Sequence, residues 1–178
     1  MERIIHDRTY WAFWWLAAAM TGVAAGMMVG HALLLGPYLS WMLASGKGKQ
    51  FSETYPVFAL SGGRLGLSLY YIVLGLQTLA GLAFFAVSIV GRHKLLLATI
   101  AALASPLWQT VHYVSGFSAL EIGVLRSVSE VSRETAVRFV AWNAPIHTFY
   151  ATTLLVALCS LLLLPIRTFT RSSSSTEL

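Results

Sequence analysis

Four apolar stretches constrain this chain more than any other feature of its 178 residues. Each reaches the roughly 20 residues that a helix needs to cross a bilayer. Hydrocarbon offers no partner to a backbone amide, and the stretches lack the polar–apolar alternation of barrel strands, so each must be helical. The sequence therefore predicts an all-α fold: a four-helix transmembrane bundle in a single integral membrane domain (1–178), with spans over about 11–35, 65–90, 95–114 and 144–164.

The composition supports this class and excludes others. Only 11% of the residues are charged, whereas a soluble domain carries about a quarter, and the mean hydropathy is +0.70. The basic residues behind the net charge of +5 flank the apolar stretches, as membrane topology requires, so we expect a lipid bilayer and no nucleic acid as partner. The single cysteine, Cys159, excludes an internal disulfide and a thiolate zinc site.

The orientation follows from the connections. An even number of spans places both termini on one side, and positive charge is denser on that side, so we expect both termini in the cytoplasm or its organellar equivalent. The first span is too long for a signal-peptide core and lacks a clear cleavage site, so we expect it to be retained. The serine-rich tail, about 170–178, is predicted to be solvated and flexible.

Two further segments have a helical pattern of their own. Over about 118–138 apolar residues recur at helical spacing and charged residues such as Glu121 fill the opposite faces, which predicts an amphipathic surface helix. In the first span Gly22, Gly26 and Gly30 lie four residues apart, a spacing that predicts a groove for close packing of another helix.

Three histidines within the spans are the main functional signal. Counted at about 1.5 Å per residue from the span ends, His31, His112 and His147 reach similar depths in the same leaflet. Polar side chains in a membrane normally face the protein interior, so the three rings are candidates for one site binding copper, iron or haem, or else a headgroup or quinone. The alternative is three interfacial histidines, each with its own partner.

Other polar or aromatic residues are candidates to support this site. Asn143 lies four residues before His147, and Trp108 four residues before His112, so each pair shares a helix face. Gln109 could hold a substrate oxygen, although interhelical hydrogen bonding explains it equally well. For Asn143 we favour a role as the N-cap of the fourth span. Because no carboxylate lies inside the spans, a dinuclear iron enzyme and a proton pump are disfavoured.

Several of these features also occur together in a known family. The first span ends in Gly30-His31 and Gly36-Pro37, Pro106 precedes a polar turn in the third, and the fourth opens with Trp142-Asn143 ahead of His147. In this respect the chain resembles the anthrone oxygenase-like family of small four-helix membrane proteins. The resemblance implies oxidation of a fused aromatic ketone or a related compound.

Two functional hypotheses follow. In the first, the chain is a small membrane oxidoreductase or oxygenase-like protein whose histidine-lined site binds a metal, a haem or a hydrophobic aromatic or quinone-type molecule. In the second, it is a non-catalytic accessory subunit of a larger respiratory or photosynthetic complex and binds other membrane-protein subunits. Whether the chain is an enzyme is left open by the sequence.

Overall fold

The computed structural model describes the backbone of residues 2–61, 64–91, 95–127 and 130–173, and the side chains of 8–55, 71–91, 96–127 and 130–165. Over these ranges the chain is helical apart from short connections and contains no strand. The elements are α1 (Glu2–Gly30), a π-helical segment (His31–Leu35), α2 (Gly36–Ala44), α3 (Gly48–Ser61), α4 (Arg64–Val90), α5 (Leu95–Val114), α6 (Phe117–Leu125) and α7 (Arg133–Ser173).

Three stretches of the described chain are long and apolar enough to span a membrane: Arg8–Ala44, Tyr71–Val90 and Arg133–Pro165. Arg8–Ala44 and Arg133–Pro165 contain the first and fourth predicted spans, and Tyr71–Val90 covers most of the second. The third predicted span forms the helix α5 at its expected bounds, but polar residues such as Gln109 and His112 dilute the hydropathy of its last turns. The described chain is therefore all-helical, as predicted, and its three candidate spans are compatible with an integral membrane protein.

The chain divides into two compact units. The first comprises Met1–Ala25, Leu74–Pro106 and Thr153–Leu178. Its core draws on α1, α4, α5 and α7, which supply the buried side chains of Tyr10, Trp14, Ala17, Ala18, Phe84, Leu97, Ala98, Ala101, Leu161 and Leu164. A buried polar network lies in the same unit: Gln77 Nε2 donates to Thr21 Oγ1 at 3.2 Å, and Ser105 Oγ donates to Gln77 Oε1.

One hydrogen bond in this unit compensates for a proline. Pro165 lies within α7 and has no amide hydrogen, so it cannot donate to the carbonyl of Leu161, four residues earlier. The indole Nε1 of Trp14 donates to that carbonyl at 2.8 Å instead. Trp14 is only 5% exposed, and this bond therefore satisfies a carbonyl that would otherwise be buried without its helical partner.

We expect Trp14→Phe to lower the free energy of unfolding by about 1–3 kcal/mol, because it leaves this buried carbonyl without a donor. Trp15→Phe is the matched control, since Trp15 is 66% exposed on the same helix. Urea unfolding of both variants in the same detergent measures the difference. Equal stability of the two variants would contradict the assignment.

The second unit comprises Gly26–Val73 and Leu107–Thr152. Here Asn143 of α7 is fully buried, and its Nδ2 donates to Gly36 O and to Ser40 Oγ, each at 2.8 Å. The short helix α6 contacts α3, and Phe117 of α6 stacks on Phe139 of α7 with ring centroids 5.9 Å apart. These contacts join α2, α3, α6 and α7 around the candidate site described below.

The first helix does not end at Gly36-Pro37, where the sequence predicted its end. It widens into the π-helical segment, in which the Gly36 amide donates to His31 O, and then continues as α2 to Ala44. Pro37 occupies the first turn of α2, the position where a missing amide hydrogen costs least. The wider turn thus lets the chain pass a proline without ending the helix.

The predicted surface helix over 118–138 is not continuous. Helix α6 ends at Leu125, the described residues 126–127 and 130–132 are not helical, and Arg133 begins α7. Helix α7, which contains the fourth predicted span, therefore starts ten residues before Asn143. Asn143 lies in the interior of this helix and is not its N-cap. At the other end α7 reaches Ser173, so residues 170–173 of the predicted tail are helical, and 174–178 lie outside the described residues.

The predicted glycine groove differs from the face that α1 buries. A Cβ at Gly22 would meet Leu158 Cδ1 at 3.9 Å, but at Gly26 and Gly30 it would meet no described atom within 4 Å. Gly26 is exposed. Most buried residues of this helix follow a neighbouring stripe at three- and four-residue spacing: Tyr10, Trp14, Ala17, Thr21, Ala24, Met28 and His31. Ala18 and Ala25, beside the glycines, are also buried.

Candidate functional site

His31 is positioned by the π-helical segment that it opens. It ends the buried stripe of the first helix and is 8% exposed. A Cβ added to Gly36 would lie 3.0 Å from His31 O, 3.3 Å from His31 Cδ2 and 3.3 Å from Asn143 Nδ2. The His31 ring and the Asn143 amide therefore lie beside the same point of the Gly36 backbone, which only glycine leaves open.

His147 is positioned by α7 and by its own backbone. It lies one turn after Asn143 and is 3% exposed. Its Nδ1 is 2.9 Å from Asn143 O. A carbonyl oxygen can only accept, so this nitrogen carries the hydrogen and Nε2 is directed to other partners.

Glu121 reaches the histidines because the chain reverses after α5. Gly116 adopts a left-handed conformation (φ 75°), which glycine tolerates, and α6 begins at the next residue. On α6 the residues Phe117, Glu121 and Val124 share one face, and Phe117 and Val124 are 2% and 0% exposed. The carboxylate thus lies on the buried face of α6, and its side chain is only 13% exposed.

The side chains of His31, Glu121 and His147, here called the His–Glu cluster, form the centre of the site. Each offers one donor atom, and the three donors all lie within 4.8 Å of one another. Nε2 of His147 is 3.4 Å from Glu121 Oε1. The rings of His31 and His147 are stacked, with centroids 3.8 Å apart and planes inclined by 13°.

His112 lies at the edge of this cluster. Its Nε2 is 4.0 Å from Glu121 Oε2, and its Nδ1 is 2.9 Å from the hydroxyl of Tyr150. Trp108 packs against Tyr150 with ring centroids 5.1 Å apart. His112 therefore links the cluster to an aromatic wall rather than sharing the tight donor set.

Electrostatics make the cluster a site for positive charge. Among the described residues the ion-pair partners of Glu121 are both histidines, which are charged only when protonated. Burial by itself raises the pKa of Glu121, but the hydrogen bond and charge of His147, with His112 and His31, outweigh it and leave that pKa below its ordinary value. The Glu121 carboxylate is thus ionised near neutral pH and faces the Nε2 atoms of His147 and His112.

The sequence singled out six residues for this site, and the structure treats them differently. His31 and His147 are in the cluster and His112 adjoins it. Asn143 supports it through two hydrogen bonds, and Trp108 lies in the aromatic wall. Gln109 is half-buried on α5 and is not part of the contacts that define the cluster.

Sequence reasoning missed Glu121 and Tyr150. Glu121 was placed on the polar face of a longer helix, although it is the one charged residue of the segment Phe117–Leu125. Tyr150 lies three residues after His147, and thus on nearly the same face of α7, a spacing that could have identified it.

Comparison with known proteins gives no relative from which a role could be transferred. No family model matches the chain, and neither a curated protein nor a solved structure does.

Proposed function

We propose that this chain is a small integral membrane oxidoreductase of the oxygenase type, whose cofactor or ligand binds at the His–Glu cluster. The observation that carries the proposal is the convergence of three donor side chains from three separate helical segments of a chain with membrane-spanning helices. Ionisable residues are costly to bury in such proteins, and a buried group of them is a functional candidate by default.

The substrate class follows from the surroundings of the cluster. Phe117 meets the His147 ring edge-on with centroids 5.6 Å apart, and Tyr150 and Trp108 continue the aromatic wall beside His112. Aromatic walls favour flat apolar molecules, which stack on or meet the rings edge-on. We propose a hydrophobic aromatic or quinone-type substrate that reaches the site from the lipid, in agreement with the resemblance to anthrone oxygenase-like proteins.

The proposed topology has four crossings. The three candidate spans and α5 would each cross once, so that the bundle has four transmembrane helices and both termini lie in the cytoplasm or its organellar equivalent. A Cys159→Ala background allows single cysteines to be placed at the N-terminus, in the 45–47 turn and near the C-terminus. We expect an impermeant maleimide to label the two terminal positions from one side of sealed vesicles and the turn from the other; termini labelled from opposite sides would contradict four crossings.

The function is tested on the chain purified with a tag that contains no histidine. We expect either a metal, measured by mass spectrometry, or an organic chromophore to co-purify at about one equivalent per chain. Glu121→Gln and His147→Gln should lose it, because each removes one side of the 3.4 Å contact. Glu53→Gln is the matched control, since that carboxylate is exposed and pairs with Lys49 on the surface.

A purified chain that holds neither metal nor chromophore, and that binds none of a panel of quinones and anthrones, would contradict the oxidoreductase proposal. Stable co-purification with other membrane subunits in that case would favour the accessory-subunit hypothesis instead.

A further inference from the structure

We infer that the His–Glu cluster binds one divalent first-row transition-metal ion through His31, Glu121 and His147, and that His112 is a positioning residue outside the ligand set. The inference deepens the proposed function by naming the group that the site holds. It also changes the ligand set expected from the sequence, since it replaces His112 with Glu121.

The first argument is the contact between His147 and Glu121. The Nδ1 hydrogen of His147 is committed to Asn143 O, so a neutral ring directs the lone pair of Nε2 toward the carboxylate oxygen 3.4 Å away. Two lone pairs at this separation repel, so the contact needs either a second proton on the ring, which then donates to Glu121, or a cation between the two groups. We assign a cation that accepts both lone pairs, because His31 supplies a third donor within 4.8 Å of the other two.

The second argument is the hydrogen bond behind His147. Metal-binding histidines almost always donate their other ring hydrogen to a carboxylate, a backbone carbonyl or water, which fixes the tautomer and the ring orientation. Asn143 O plays this part at 2.9 Å. The Asn143 side chain is in turn held by Gly36 O and Ser40 Oγ, so α7 is tied to the segment that carries His31.

The third argument selects the class of metal. Two imidazoles and one carboxylate form the ligand set of non-haem Fe(II) sites, and also of some zinc sites. Donors at about 2.0–2.2 Å from one ion lie roughly 3–3.5 Å apart, so donors within 4.8 Å have to approach one another. One ring of the stacked His31–His147 pair also has to rotate on binding, because an imidazole binds a metal in its ring plane. The stacked rings of His31 and His147, 3.8 Å apart, leave no space for a haem between them.

The role of His112 follows from its distances. The Nε2 atom of His112 is 4.0 Å from the Glu121 carboxylate, whereas that of His147 is 3.4 Å away. The Nδ1 atom of His112 is hydrogen-bonded to the Tyr150 hydroxyl. His112 can therefore orient the second carboxylate oxygen without binding the ion. Outer-shell partners of this kind typically change metal affinity by about 10–100-fold.

Titration of the chelator-treated full chain with Co²⁺ in lipid nanodiscs tests the inference, because bound Co²⁺ has visible d–d absorption. We expect one Co²⁺ per chain. His31→Gln, Glu121→Gln and His147→Gln should each reduce the affinity by more than the roughly 100-fold upper range for an outer-shell residue, whereas His112→Gln should stay within that range and keep the band pattern. Glu53→Gln, an exposed carboxylate, should bind as the unmodified chain does.

X-ray absorption of the Co²⁺-loaded unmodified chain keeps the test independent of how the variants fold. Scattering from two imidazoles is expected. Absence of Co²⁺ binding, or a site whose His112→Gln variant loses the metal while His31→Gln retains it, would overturn the inference. If the chain binds no Co²⁺ but holds a haem or quinone that Glu121→Gln releases, the metal assignment fails and the proposed function stands.

Discussion

Replacing Asn143 with alanine is expected to lower the free energy of unfolding by about 2–3 kcal/mol. The side chain is fully buried and donates to Gly36 O and Ser40 Oγ at 2.8 Å each. A typical hydrogen bond contributes about 0.5–1.5 kcal/mol, with an average near 0.6 between membrane helices, and the cavity left by the amide adds to the loss. The two lost hydrogen bonds and the cavity together give the expected loss of about 2–3 kcal/mol, the sum of these contributions.

Thermal and urea unfolding in one detergent measure this change. Thr148→Ala is the matched control, because Thr148 is exposed on the same helix. Ser40→Ala separates one of the two bonds and is expected to cost about 1 kcal/mol. A loss below about 0.5 kcal/mol for Asn143→Ala would contradict the interhelical role and leave His147 without the support proposed for it.

The secondary structure could be predicted from apolar length, because the need to satisfy backbone amides leaves a long apolar segment little choice but a helix. Helices α4 and α5 accordingly have bounds within a residue of the predicted spans. Helix ends are harder to predict where glycine and proline suggest a stop. Pro37 lies inside a continuous helical stretch, since it follows a π-helical segment and occupies the first turn of α2.

The candidate site could be predicted only as far as single helices allow. Depth along a helix follows from residue counting, and it drew attention to His31, His112 and His147 together. Rotation about the helix axis does not follow from counting, because it depends on tertiary packing, and the glycine stripe did not indicate which face of α1 carries His31. The buried stripe ending at His31 alternates four- and three-residue steps, which keeps it on one face of the helix, whereas the glycines lie four residues apart.

Glu121 illustrates a second limit. Its position on a helix face depends on where that helix starts and stops, and a helix assumed to continue through 126–132 placed the carboxylate opposite the apolar residues. The left-handed Gly116 and the short length of α6 instead turn Glu121 toward the histidines.

The π-helical segment connects the fold to the site through Gly36. Gly36 has ordinary helical dihedral angles (φ −60°, ψ −50°), so in open space alanine would be more stable than glycine at this position by up to about 1 kcal/mol. The added methyl would, however, lie 3.0 Å from His31 O and 3.3 Å from both the His31 ring and the Asn143 amide. The carbonyl belongs to the backbone of the widened turn and yields less readily than a side chain does.

We therefore expect Gly36→Ala to be destabilising by about 1–2 kcal/mol, the typical lower range for overpacking, in spite of its better helix propensity. Because the methyl displaces the His31 ring and the Asn143 amide together, the Co²⁺ affinity should also fall by about 10–100-fold, as for an outer-shell change. Gly26→Ala is the matched control on the same continuous helical stretch: its Cβ meets no described atom within 4 Å, so stability should rise slightly and metal affinity stay constant. Unfolding and Co²⁺ titration of the two variants decide the matter. If Gly36→Ala matches Gly26→Ala in both measurements, the turn is not what positions His31.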